Sequence, residues 1–306
     1  MKTPLELAGR LSVAGVQLAD EKGEAFQLRG ISTHGLGWYP QYITRETFQT
    51  FRDEWGANAI RLAMYTAEER GYCTQDAEAI LFQKALVKKG VDICEELGMY
   101  VLVDWHILSD NDPNIYTDLA LDFFSEISAY CKDKKNVLFE ICNEPNGETT
   151  WQDVKKYAEQ VLPVIRKNAP KAIVIIGTPT WSQDVDLAAA DPVKGYDNLM
   201  YTLHFYADTH REALREKMLA AKQAGLPIMV TEFGICDASG NGANNLEEGQ
   251  VWIDLLNQEK ISYCIWNLSN KDESSALLRP DCQKTSAWKQ EDLSQAAVWY
   301  QKILKL

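Results

Sequence analysis

Eight short apolar runs alternate with longer amphipathic stretches along this chain, and that alternation limits the fold more than any other feature. The apolar runs fall at residues 27–32, 59–64, 100–104, 137–141, 172–177, 199–204, 228–231 and 262–266. Each is strand-sized and apolar on both alternating faces, the pattern of a parallel sheet covered on its outer side. The stretches between them carry helical spacing and helix punctuation. Thr44 opens the first, Gly98 and Gly225 close two others, and Pro170 ends another. Helices are read near 44–56, 77–97, 118–132, 151–168, 182–189, 209–224, 246–258 and 293–304. Eight strand–helix units predict an α/β fold of the (β/α)8 TIM barrel type. A doubly wound open sheet would need a switch point and often a Gly-rich phosphate turn, which the sequence lacks. Residues 11–26 read as an N-terminal β-hairpin, turning at Glu21-Lys22-Gly23 and closing the barrel bottom. No linker or repeat interrupts the pattern, so residues 1–306 are expected to form a single domain.

Composition narrows the partners. The chain carries 44 acidic and 31 basic residues and a net charge of −13. Nucleic acid needs a basic footprint, and an anionic membrane surface likewise selects cations, so neither is an expected partner. A neutral polymer fits. Nine Trp and 13 Tyr are enough to fill a barrel core and still line an open cleft. No apolar run is long enough to span a bilayer, and residues 1–6 hold no signal-type apolar stretch. The seven cysteines include no C-x-x-C pair, so they are read as buried free thiols, with Cys73 the one to watch for pairing or exposure.

In a barrel of this kind the chemistry sits at the C-terminal strand ends. Those ends read Ser32-Thr33-His34, Tyr65, Asp104-Trp105-His106, Asn143-Glu144-Pro145, His204-Phe205-Tyr206, Glu232-Phe233-Gly234 and Trp266-Asn267, with Arg61 inside the second strand. A single Glu after a strand is often a cap or a surface ion pair. Two at one barrel mouth, with Arg, His and Tyr beside them, suit glycosidic bond cleavage, which needs one protonated and one ionised carboxyl. Arg61 and Tyr206 are placed to hold one of the two ionised. His210 opens a helix and is read as surface.

Taken in order, these residues resemble glycoside hydrolase family 5, and residues 31–38 (Ile-Ser-Thr-His-Gly-Leu-Gly-Trp) and 267–275 (Asn-Leu-Ser-Asn-Lys-Asp-Glu-Ser-Ser) are similar to its subfamily 2 type of bacterial endoglucanases. The resemblance covers about residues 11–300. It implies a retaining endo-β-1,4-glucanase with Glu144 as general acid/base and Glu232 as nucleophile. Arg61 and Tyr206 would then support Glu232, and Asn143 would bind the sugar 2-OH. His106 and His204 would shape the site of cleavage, with His204 near Glu144. Trp266 would be the platform under the sugar whose bond is cut. His34, Trp38 and Tyr65 would line the subsites on its non-reducing side. Lys271 and Glu273 would bind hydroxyls further out, and Trp181 would stack a sugar beyond the cleaved bond. The bland rivals are a structural ion pair for Arg61, packing for Trp266 and a solvated charge for Lys271. The segment 65–73 has the family's general shape but carries Glu69, Arg70 and Cys73, which the pattern does not require.

The resemblance also implies a secreted monomer acting on a β-1,4-linked glucan, with no catalytic cofactor and no metal. A β-mannanase, mixed-linkage glucanase or xyloglucanase on the same site is the nearest alternative. A non-catalytic carbohydrate-binding barrel would have no need of both Glu144 and Glu232. A metal-dependent hydrolase would draw on His34, His106 and His204, which lack a His-x-His or Glu-x-x-His pattern. A retaining pair of carboxyls is expected about 5–5.5 Å apart, an inverting pair roughly 6.5–9.5 Å.

Overall fold

The computed structural model describes residues 2–74 and 77–305. A short helix α1 (Pro4–Ala8) and a hairpin of β1 (Ser12–Ala14) and β2 (Gln17–Ala19) come first. The barrel strands follow: β3 (Arg29–Thr33), β4 (Ala59–Tyr65), β5 (Tyr100–His106), β6 (Val137–Glu140), β7 (Ile173–Ile176), β8 (Leu199–Tyr206), β9 (Ile228–Gly234) and β10 (Tyr263–Leu268). They pair in parallel, in sequence order, and β10 closes on β3. Helices α2 (Arg45–Thr50), α3 (Ala77–Leu97), α4 (Thr117–Tyr130) and α5 (Trp151–Asn168) cover the first half of the barrel. A single turn α6 (Pro179–Ser182), then α7 (Val185–Ala190), α8 (Glu212–Gln223), α9 (Leu246–Gln258) and α10 (Gln295–Leu304), cover the second. The expected (β/α)8 barrel is therefore present.

Strand periodicity builds two cores. Ile60, Leu62 and Met64 of β4 point outward with Val101, Val103 and Trp105 of β5 and pack against the helices. The alternate positions point inward. At the bottom the lumen holds Ala59, Leu102, Leu138, Ile175, Met200, Met229 and Cys264. One layer up the character changes. Ser32, Arg61, Asp104, Glu140, Thr202 and Thr231 are all buried there. A dry apolar plug thus carries a buried polar floor, and the cleft opens above it.

The bottom is closed by the N-terminal segment, as expected. Ala8, Leu11, Leu18 and Leu28 pack with Tyr100, and the Tyr100 hydroxyl donates to the Gly9 carbonyl at 2.6 Å. The hairpin itself is tighter than the sequence reading. Ser12 pairs with Ala19, so the chain turns at Gly15, whose φ of +62° suits glycine. The Glu-Lys-Gly segment is a second turn, held by Lys22 and Glu24 N–H groups donating to Asp20 Oδ1 at 2.8 and 2.9 Å. The helix read at 182–189 also differs. Thr180, Trp181 and Ser182 all have positive φ, and the regular helix starts only at Val185. All seven cysteines are buried free thiols, so Cys73 is neither paired nor exposed.

Gly177 shows how tightly fold and site are joined. A Cβ there would press into the Cys142 carbonyl and lie 2.9 Å from Pro145 Cδ, on the segment that carries Asn143 and Glu144. Gly177→Ala is expected to lower stability by about 1–3 kcal/mol, the usual cost of overpacking. Chemical denaturation would read this as a lower midpoint at unchanged slope, and an unchanged midpoint would contradict the close approach.

Candidate active site

Arg61 organises the floor of the cleft. It is fully buried on β4, and its guanidinium reaches β3, β5, β6 and β9, donating on β3 to Ser32 Oγ at 3.3 Å. Nε and Nη2 donate to the two oxygens of Glu140 at 2.7 and 3.1 Å. Nη1 donates to Glu232 Oε2 at 2.9 Å, and Nη2 donates to Asn143 Oδ1 at 2.6 Å. Asp104 Oδ2 lies 3.0 Å from Nη2. Three carboxylates around one buried cation hold that cation's pKa well above its ordinary value, against the opposing pull of desolvation. The planar fork of arginine can serve these directions at once, which a lysine cannot.

The two carboxylates proposed from the strand ends face one another above this floor. Glu144 and Glu232 each present an oxygen within 4.8 Å of the other. Their surroundings differ. Glu232 accepts from Arg61 on one oxygen and from the Tyr206 hydroxyl on the other, at 2.8 Å. The side chain of Glu144 meets His204 Nδ1 at 2.9 Å. Burial pushes its carboxyl up to about 8, with Asp104 and Glu140 adding to the shift and Arg61 opposing it. Burial likewise lowers His204 to about 4 and His106 to about 3, so both are neutral. Burial holds the Tyr206 hydroxyl well above its ordinary range, which keeps it a donor.

The cleft above is about 750 Å³. Of the residues expected at the site, His34, Trp38, Tyr65, His106, Glu144, Trp181, His204, Tyr206, Glu232, Trp266, Lys271 and Glu273 line it. Arg61 and Asn143 lie beneath the lining, fully buried. The Asn143 amide is occupied there, accepting from Arg61 and donating to the Ile107 carbonyl at 3.0 Å. His106 and Trp266 stack with their rings 5.2 Å apart and 12° from parallel, and Trp38 packs on Tyr65 at 4.7 Å. These rings form one wall. Lys271 pairs with Glu273 at 2.6 Å at its rim. Trp181 stands opposite with 47% of its surface exposed. Its left-handed turn is fixed by its N–H donating to the Pro145 carbonyl at 3.0 Å and by Ser182 Oγ donating to the Asn143 carbonyl at 2.6 Å.

His210 is a correction to the sequence reading. It is half-buried, lines the cleft, and its Nδ1 accepts the Tyr206 N–H at 2.9 Å. In the loop after β4, Glu68 reaches the cleft while Glu69 and Arg70 are exposed and Cys73 is buried. Glu144, His204 and Glu232 are close enough to suggest a cation site. Their partners are already assigned, however, since both ring nitrogens of His204 and both oxygens of Glu232 are hydrogen-bonded. A metal ion there would also face the Arg61 guanidinium, so these residues form a poor ion cage.

A model of the Cellulase (glycosyl hydrolase family 5) family matches residues 19–272. The chain belongs to glycosyl hydrolase family 5. It is 46% identical over 296 residues to Endoglucanase A of Butyrivibrio fibrisolvens, covering 96% of this chain and 68% of that protein. It is 44% identical over 293 residues to Endoglucanase 5 of Pectobacterium carotovorum subsp. carotovorum, covering 95% of this chain and 57% of that protein. The chain thus spans roughly half to two thirds of the length of its curated relatives. Among solved structures, the catalytic domain of Thermobifida fusca endoglucanase Cel5A in complex with cellotetraose superposes with a TM-score of 0.94 at 37% identity, each chain covered over 100%.

As a family 5 barrel, the chain keeps its strand-end residues where the sequence placed them. Sequence reading gave no role to Asp104, Glu140 or Thr231. The signal was present in part, since Asp104 and Glu140 are acidic residues inside apolar strands, where an unpaired carboxylate is costly.

The burial of Glu144 has a consequence for titration. Its folded pKa, about 8, is raised above its ordinary value of 4.5. Above 4.5 the folded chain keeps a proton that the unfolded chain has lost, so this group makes stability fall as pH rises toward 8. A carboxyl carbon NMR signal titrating near pH 8 and absent in Glu144→Gln is the expected result. A signal titrating near the ordinary value would contradict it.

Proposed function

We propose that this protein is a retaining endo-β-1,4-glucanase acting on cellulose and related soluble β-glucans. The observation that carries the reading is the opposed environment of two carboxyls within 4.8 Å. Burial keeps Glu144 protonated near neutral pH, and Glu232 is bonded to a guanidinium and a phenol. That separation is in the short range of a retaining pair and below the roughly 6.5–9.5 Å of an inverting pair, so it suits direct attack.

In the first step a Glu232 oxygen bonds to the anomeric carbon. The bond from that carbon to the glycosidic oxygen breaks, and its electron pair takes the proton of Glu144. The sugar is now held as an ester of Glu232. In the second step water gives its proton to Glu144 and its oxygen bonds to the anomeric carbon. The ester bond breaks, its electron pair returning to Glu232. Arg61 and Tyr206 orient Glu232 and offset its charge in both steps. Asn143 sits behind the pair and is assigned to the 2-OH, where contacts strengthen in the transition state.

Substrate class follows from the walls. The faces of β-linked glucose carry axial C–H groups that lie well on aromatic rings. Trp266 is assigned to the platform under the sugar at the cleavage point. His34, Trp38 and Tyr65 are assigned to the non-reducing side, Trp181 to the far side, and Lys271 with Glu273 to outer hydroxyls. An open groove binds an internal stretch of an uncharged polymer without a basic patch. The names of the relatives, endoglucanases, and the cellotetraose bound to the Thermobifida fusca domain support this choice. Residues 1–306 are read as one catalytic domain, active as a monomer outside the cell, where such polymers are found.

The test is reducing-sugar release from carboxymethylcellulose and from mannan, for wild type and Glu232→Gln. Wild-type activity on carboxymethylcellulose that falls at least about 10³-fold in the variant is expected, since the nucleophile's step is lost. Activity on mannan alone would keep the mechanism and change the substrate. A folded wild type inactive on both would favour a binding barrel.

A further inference from the structure

Glu144 is bonded to His204, and His204 in turn to a hydroxyl that does not line the cleft. His204 Nδ1 faces Glu144 Oε1, while its other nitrogen, Nε2, lies 2.9 Å from Thr231 Oγ1. Thr231 is fully buried on β9. Its hydroxyl has one proton to give. That proton goes to Glu140 Oε1 at 2.7 Å, and Glu140 already accepts two hydrogen bonds from Arg61. Burial raises the pKa of the Glu140 carboxyl and Arg61 opposes that shift; both its oxygens accept from the guanidinium, so toward Thr231 it stands as an acceptor. The Thr231 oxygen must therefore accept from His204, which places the imidazole proton on Nε2. Thr202 completes the arrangement: its hydroxyl oxygen accepts the Thr231 N–H at 3.3 Å and its own proton turns to Thr231 Oγ1.

A neutral imidazole carries one N–H, so Nδ1 keeps its lone pair. The group facing a lone pair must be a donor. We propose that Thr231 is a positioning residue which, through the tautomer of His204, holds Glu144 as a carboxylic acid between turnovers. The inference rests on Glu144 being the acid/base, and it adds a reason why that group is protonated beyond burial alone. It also bears on the second step. Once Glu144 has passed its proton to the leaving oxygen, its carboxylate faces the lone pair of Nδ1. That repulsion makes it a better base for the incoming water, whose proton restores the starting hydrogen bond.

The titratable and charged groups acting on Glu144 are Arg61 and Tyr65 from β4, Asp104 from β5, Glu140 from β6, His204 and Tyr206 from β8, and Glu232 from β9, with His106 of β5 lining the same cleft. Substituting Thr231 keeps all of these residues and removes one hydrogen bond each from His204 and Glu140. In Thr231→Val the shape is kept and the hydroxyl is lost. His204 is then free to place its proton on Nδ1 and donate to Glu144, which favours the ionised form. The alkaline limb of kcat/KM on an unactivated cello-oligosaccharide is expected to move down by at least about one pH unit, a tenfold change in proton affinity. Thr231→Ser, which restores the hydroxyl, is expected to return the limb to its wild-type position. On dinitrophenyl cellobioside, whose leaving group needs no proton, Thr231→Val should keep most of its glycosylation rate.

Nitrogen-15 NMR of His204 in the wild type tests the tautomer without a variant. A proton on Nε2 is expected, and a proton on Nδ1 would overturn the inference even if Thr231→Val does not fold. An unmoved limb in a folded Thr231→Val would overturn it too. Glu144→Ala separates the two levels. Equal loss on activated and unactivated substrates would sink the acid/base reading itself. Selective loss on the unactivated substrate, with an unmoved limb in Thr231→Val, would sink the tautomer inference alone.

Discussion

One buried guanidinium underlies the rest of this structure. Arg61 has no exposed surface, yet it is bonded to Glu140, Glu232 and Asn143 and lies beside Asp104. Burying one charge without partners would cost many kcal/mol. Burying three carboxylates around a cation is tolerable only because each is hydrogen-bonded as well as paired. The cluster is therefore all-or-none: removing Arg61 would strand acidic groups on β5, β6 and β9 together. It also fixes the heights of those strands, because the fork can meet Glu140 on two oxygens only in one register.

From that floor the two facing carboxyls acquire different characters. Glu232 lies within reach of the guanidinium, and Glu144 is bonded instead to a neutral histidine. The same low-dielectric surroundings thus push one group toward its acid form while supplying the other with charge-assisted hydrogen bonds. The aromatic wall is built on the same strands. Trp266 follows Ile265 of β10, and Tyr65 ends β4 beside His106 of β5. The carboxyl pair and the aromatic wall are therefore held by one rigid scaffold.

The sequence showed the barrel and the strand-end residues because both leave local signals. An apolar run that stops at Asn143-Glu144-Pro145 or at Glu232-Phe233-Gly234 announces its own end. The floor left weaker traces. Arg61, Asp104, Glu140 and Thr231 meet because they are inward-facing residues at one height on four strands, and no local pattern in a linear chain marks shared height. The sequence places the start of the next helix at residue 182, but the left-handed turn Thr180–Ser182 delays it to Val185. Its left-handed backbone is set by hydrogen bonds to Pro145 and Asn143, which are distant in sequence. His210 was assigned to the surface from its place before a helix. It faces the cleft because its ring bonds back to the Tyr206 backbone.

The central claim is that Glu232 attacks the sugar while Glu144 serves it with a proton. The most direct test is trapping with a fluorinated cellobioside that carries an activated leaving group, followed by peptide mass spectrometry. The account predicts one covalent sugar per chain, on the peptide containing Glu232, and none in Glu232→Gln. A label on Glu144, or turnover with no trapped species and inversion of the first product's anomeric configuration, would contradict it.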